Sequence, residues 1–157
     1  IGIHSTYRPM VQNVTWYLGG TAQATRDATA DDFYGYERGT TVYSGRPTEA
    51  TGYIGLMYPS DYGYSVLASS CARTTYLSSY GNSTCAGESW LYGNGFEWTI
   101  TPTSSVSFYV FYFSSTGDLI DYQVNDGFAA RPVLYLDSSV YVIDGSGTML
   151  DPYIIGM

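Results

Sequence analysis

Residues 97–136, EWTITPTSSVSFYVFYFSSTGDLIDYQVNDGFAARPVLYL, constrain the fold more than any other stretch. Runs of β-branched and aromatic residues are cut there by Thr101-Pro102, by Ser115-Thr116-Gly117-Asp118 and by Asn125-Asp126-Gly127. Bulky branched and aromatic side chains favour the pleated backbone, and Gly, Asn and Asp supply the dihedrals of tight turns, so the pattern predicts a β-meander with the remaining chain wrapped around it. Along residues 105–114 one face carries Val106, Phe108, Val110 and Tyr112, and the other carries Ser107, Tyr109, Phe111 and Phe113. Both faces are apolar enough to need cover, as in a central core strand or a strand with one face against another molecule.

At 157 residues the chain is one domain in size, able to bury about two-thirds of its unfolded surface. Aromatic residues make up 17% of it, including 18 Tyr, whereas only 13% is charged and lysine is absent. Tyr combines a large rigid ring with a hydroxyl that tolerates water, which suits binding surfaces and subunit interfaces. Tyr62, Tyr64, Tyr80, Tyr92 and Tyr122 lie near expected loops, and of these Tyr62, Tyr64, Tyr92 and Tyr122, with Tyr109 of the meander, are the candidate ligand or interface aromatics. The net charge of −8 argues against a nucleic-acid partner, which needs a basic face. No apolar run is long enough to span a bilayer.

Cys71 and Cys85 bracket a polar segment that would gain about 3 kcal/mol from loop closure. The alternatives are a disulfide and two buried thiols. Low charge, absent Lys and two sequons, Asn13-Val14-Thr15 and Asn82-Ser83-Thr84, favour an extracellular setting and the disulfide, with Asn13 and Asn82 as candidate glycosylation sites. The chain starts at Ile1 without Met or signal peptide, so we expect a processed or excised product whose export signal lay upstream.

Elsewhere the pattern predicts a short strand over residues 1–7, a helix over 10–18 stopped by Gly19-Gly20, a second helix over 27–36 capped by Asp and Thr, and a brief strand around Thr41-Val42-Tyr43. Tyr53–Tyr58 reads as a central strand ended by Pro59-Ser60-Asp61, with Tyr62-Gly63-Tyr64 as a turn and residues 88–92 as a short buried run. Residues 139–143 form a strand turned by Asp144-Gly145-Ser146-Gly147, and residues 152–155 a last extended piece.

Side chains that could carry chemistry are few. The single histidine, His4, has no nucleophile motif around it and reads as solvent-facing. Glu88 and Glu97 are a formal acid pair for glycoside hydrolysis but read better as hydrogen-bonding edge residues. Asp144 and Asp151 could ligate calcium, yet their spacing does not fit an EF-hand and an Asp-Gly turn explains them. Arg131, next to Pro132, reads as a structural anchor for an adjoining loop, with a ligand carboxylate as the other reading.

GYERGTTVYSGRPT at 35–48, IGLMYPSDYGY at 54–64, the Cys pair, SWLY at 89–92, EWTITP at 97–102, ARPVLYL at 130–136 and the closing GSGT and DPYII together resemble a group of Tyr-rich bacterial surface proteins. Their C-terminal half is similar to the C-type-lectin-like domain of formylglycine-generating-enzyme relatives. The resemblance implies an α+β, β-rich fold: a C-type-lectin-like twisted antiparallel sheet with one or two short helices and long loops over residues 10–157. Residues 1–9 would be an N-terminal extended segment, a candidate donor strand. The Glu-Pro-Asn and Trp-Asn-Asp calcium motifs of sugar-binding C-type lectins are absent, and the Cys pair does not match the catalytic cysteines of the enzymes. Family members carry a further upstream region with an early strand, so a strand is expected to be missing from this chain's own sheet.

Two expectations follow. The first is a non-enzymatic subunit of an extracellular, pilus-like filament at the bacterial surface, without cofactor or metal, that polymerises head-to-tail with copies of itself through Ile1, Ile3 and Tyr7 by strand addition. The second is a monomeric adhesion module whose Tyr- and Ser-rich loops bind a glycan or a host protein.

Overall fold

A computed structural model describes residues 3–68, 70–93, 95–148 and 150–157. In chain order its elements are β1 (Val14–Tyr17), α1 (Ala30–Glu37), β2 (Glu49–Gly52), β3 (Gly55–Leu56), α2 (Pro59–Tyr64), α3 (Cys71–Thr74), α4 (Cys85–Glu88), β4 (Glu97–Pro102), β5 (Tyr109–Phe113), β6 (Leu119–Gln123), β7 (Ala129–Ala130), β8 (Pro132–Val133), β9 (Tyr141–Asp144) and β10 (Ile154–Gly156). Short 3-10 turns occupy Arg8–Met10, Gln23–Thr25 and Leu77–Asn82. The fold is mixed α+β and β-rich, as expected, with four short α-helices among the described residues where the sequence pointed to one or two.

The expected meander is the main sheet, in the order β6-β5-β4-β7. β5 and β6 pair antiparallel from Tyr109 opposite Gln123 to Phe113 opposite Leu119, around a turn in which the Gly117 N–H donates to the Ser114 carbonyl. β4 is antiparallel to β5, with a register irregularity between Trp98 and Pro102, and β7 runs parallel to β4. Three two-stranded pairs complete the strands: β1 with β2, β3 with β8, and β9 with β10.

The inner face of the sheet, Phe111, Phe113 and Leu119, packs against Phe33 of α1, Tyr62 of α2, and Leu77 and Tyr80 of the 3-10 turn. Phe33 meets Phe111 edge-on at 5.3 Å between ring centres, and the Tyr62 ring lies 3.9 Å from that of Phe113. Cys71 and Cys85 are disulfide-bonded, with Cα atoms 6.0 Å apart, and join α3 to α4 within the same core. Burying a large apolar side chain contributes about 1.5–3 kcal/mol, so this layer carries most of the stability.

Several local expectations are corrected. Residues 10–18 are not a helix: Val14–Tyr17 is a strand on Glu49–Gly52, and burial alternates so that Trp16 points inward and donates its indole N–H to the Gly52 carbonyl at 2.9 Å. The 3.6-residue spacing of Met10, Val11, Val14, Tyr17 and Leu18 left out Trp16, which is the buried member of the strand. Gly19 is not a helix stop; it lies so close to the Tyr36 and Glu37 carbonyls that any Cβ would collide with them. Residues 41–43 form no strand. Of the strand expected over 53–58 only Gly55 and Leu56 pair, because Pro59 at the first helical position and the Asp61 carboxylate, which accepts from the Tyr58 N–H at 3.1 Å, start α2 where a stop and turn were expected. The second expected helix is present as α1, with a reciprocal cap in which the Asp32 N–H donates to Thr29 Oγ1 and the Thr29 N–H to the Asp32 carboxylate.

Residues 5–7, expected to belong to the N-terminal strand, are a turn, followed by a 3-10 turn at Arg8–Met10, with the Tyr7 and Arg8 N–H groups donating to the His4 carbonyl. Pro9 and Arg8 start that 3-10 turn, and the chain then docks on itself through a Val11–Leu136 bridge.

Candidate functional surfaces

Three surfaces stand out. The first is the C-terminal hairpin. In β9 the consecutive residues Tyr141, Val142 and Ile143 are 57%, 55% and 59% exposed. Successive strand residues point to opposite faces, so neither face of the hairpin is covered. Ile154 and Ile155 of β10 are exposed too, and among the described residues both strands pair only with each other. The connecting turn is built by Asp and Gly: the Ser146, Gly147 and Thr148 N–H groups donate to the Asp151 carbonyl, and the Ser146 N–H also donates to the Asp151 carboxylate at 2.8 Å. Gly147 has a φ of 78° and lies against the Tyr153 ring, where only a residue without Cβ fits. Both aspartates are thereby used in the turn, Asp144 accepting from the Gly145 N–H. From this turn Leu150 projects with 96% of its surface exposed.

The second surface is a cleft of about 400 Å³ between α2, residues 90–91 and residues 131–135. Met57, Leu91 and Val133 give it an apolar lining, Tyr64, Trp90 and Tyr135 an aromatic one, and Asp61, Ser65 and Arg131 are its polar members. Trp90, expected within a buried run, is 76% exposed; its neighbour Ser89 is the buried residue, hydrogen-bonded to Ser65. All three polar members are already engaged, Ser65 with the Tyr62 carbonyl as well as with Ser89. Asp61 caps α2, and burial raises its carboxyl above the usual range against the opposing effects of that hydrogen bond and of Arg38. Arg131 donates to Glu97 Oε2 at 2.8 Å, so its anchoring role is to a carboxylate rather than to loop carbonyls. Burial also raises Glu97, with Arg131 opposing, and its buried second oxygen, Oε1, has no hydrogen-bond partner among the described residues. Glu88, its formal partner, is exposed on α4.

The third surface is the outer face of the sheet, where Phe128 folds back over Trp98 and Tyr112, both 4.7 Å away between ring centres, and stacks on Phe96 at 5.2 Å. The chain therefore covers much of this face itself and buries Tyr112, leaving Phe96, Phe108 and Tyr122 at the rim.

The sequence-based aromatic candidates separate on this frame. Tyr62 is only 1% exposed; it is a core residue rather than an interface residue, its hydroxyl donating to the Gly117 carbonyl at 3.2 Å. Tyr80 is buried as well. Tyr64 is exposed at the cleft, Tyr122 is exposed at the sheet rim near half-buried Tyr109, and half-buried Tyr92 donates to the Ser115 carbonyl. Asn13 and Asn82 are both exposed. Ile1 lies outside the described residues, Ile3 is half-buried and Tyr7 exposed. His4 is exposed, its ring nitrogen accepting from the Thr6 N–H. Missed by sequence reasoning were Trp90, Leu150 and the buried acid Glu37, whose carboxylate accepts from the Ser60 N–H at 2.9 Å and lies 3.1 Å from Arg38. Burial pushes the Glu37 pKa up to about 7, outweighing Ser60 and Arg38.

Among the described residues no helix is long and apolar enough to cross a membrane, and no group of three or more His, Cys, Asp or Glu side chains could hold a metal ion. The chain matches no family model, no curated protein and no solved structure.

Proposed function

We propose that the chain is a non-enzymatic structural protein of the bacterial surface, a C-type-lectin-like subunit that assembles with copies of itself into an extracellular filament. The observation that carries this reading is the C-terminal hairpin, apolar and uncovered on both faces. An isolated two-stranded hairpin is marginal in water, and one that also exposes Tyr141, Val142, Ile143 and Ile154 has a strong drive to acquire a partner. The disulfide and the exposed sequon residues Asn13 and Asn82 fit an oxidising, extracellular setting. Strand exchange through residues 1–9 is the less supported route to assembly, since residues 5–10 are turned and the segment after them docks at Leu136.

The test is the mass distribution of the purified chain by sedimentation velocity, with electron microscopy of the heavy fraction. Concentration-dependent growth into filaments is expected; a single monomeric species at every concentration removes the reading.

A second reading, a monomeric adhesion module, is favoured by the Trp90 cleft, where aromatic rings beside Asp61 and Arg131 resemble the walls of a glycan site. Saturable glycan binding by a monomer, lost in Trp90→Ala, would establish it.

A further inference from the structure

The hairpin and the cleft are complementary halves of one contact. We propose that Leu150, at the tip of the C-terminal hairpin of one copy, enters the Trp90 cleft of the next. This rests on the self-assembly reading and specifies its contact.

The tip offers a protruding apolar knob: Leu150 is the most exposed large hydrophobic residue among those described, held outward by the turn that Asp151 and Gly147 close. The cleft offers an open apolar recess of about 400 Å³, floored by aliphatic side chains and edged by the exposed rings of Trp90 and Tyr64. Trp and Tyr rings around an apolar recess are the usual make-up of an interface hot spot.

A second copy is the occupant for two reasons. Tyr141, Val142, Ile143, Leu150, Tyr153 and Ile154 are each more than half exposed, and together their surface is on the order of the ~800 Å² that one partner contributes to a stable interface. The cleft's own cation is committed to Glu97 and its carboxylate to the α2 cap, so an uncharged apolar group suits it better than an ionic ligand. Copies bearing −8 each repel, so the contact has to be apolar and strengthens as salt screens that repulsion. A knob entering a recess elsewhere on the same molecule is a heterologous contact, which propagates into a fibre when it does not close.

The test uses two full-length variants, Leu150→Asp and Trp90→Asp, both altered at exposed positions, with near-ultraviolet circular dichroism and melting temperature as checks that the fold is kept. Each variant alone is expected to stay monomeric at concentrations where the unaltered chain polymerises, its half-assembly concentration rising by about tenfold or more. Mixed in equal amounts they are expected to form a dimer and nothing larger, because only one intact knob and one intact recess remain per pair. Polymerisation of either folded variant like the unaltered chain, or a mixture that stays monomeric, overturns the contact while leaving self-assembly intact. An unaltered chain that is monomeric throughout overturns both.

Discussion

The disulfide-bearing core and the C-terminal hairpin draw on the same residue types and put them to opposite uses. In the core, Phe33, Tyr62, Leu77, Phe111 and Leu119 are closed off from water by a sheet on one side and short helices and turns on the other. In the hairpin, Tyr141, Ile143 and Ile154 of the strands and Leu150 of the turn stand in solvent, although the two strands are paired with each other. Apolar content therefore does not decide burial here; the presence of a second layer does. The core is complete within one chain, whereas the hairpin has its hydrogen bonds but, among the described residues, no layer to lie against.

Substitutions should expose that contrast most sharply in the core. Phe111→Ala, which opens a cavity against Phe33, is expected to cost about 3–5 kcal/mol in chemical denaturation. Replacing Cys71 and Cys85 by Ala releases a loop spanning 14 positions and should cost about 3 kcal/mol on the same scale.

Buried Glu37 gives the core a pH dependence. Its folded pKa of about 7 lies above the ordinary 4.5. Below about pH 4.5 the carboxyl is protonated in both states and its contribution is fully present. Between that pH and about 7 only the unfolded chain releases the proton, so stability falls as pH rises, by up to about 3 kcal/mol. Glu37→Gln should flatten this slope in denaturation curves taken at pH 4.5 to 8; an unchanged slope would show that Glu37 ionises freely in the fold.

The smallest effect on folding is expected at the hairpin, where Ile154→Ser should change stability by no more than about 0.5 kcal/mol. The same substitution should weaken assembly, which separates the two regions in a single variant.

How much of this was readable from the sequence follows the same division. The meander was legible because its alternation and turn residues are local, and α1 because its capping pair lies within three positions. Strand β1 was not, since what makes Val14–Tyr17 extended is a partner at Glu49–Gly52, far along the chain. The inward turn of Tyr62 was hidden because Pro59 and Asp61 serve equally as strand stop and helix start. Both hairpin strands were visible, but their exposure was not: an apolar run on both faces is the ordinary mark of a buried strand, and only the layers around it reveal that nothing covers it. Leu150 and Trp90 carried no local signal, as each sits in a turn-rich stretch whose outward direction the backbone decides.

The central claim is that the uncovered hairpin joins one copy to another. Weight-average mass by light scattering, followed across a dilution series of the full chain at low and high salt, tests it most directly. Open-ended growth with concentration, enhanced by salt, is the predicted result; a constant mass of 17.2 kDa under all conditions would contradict it.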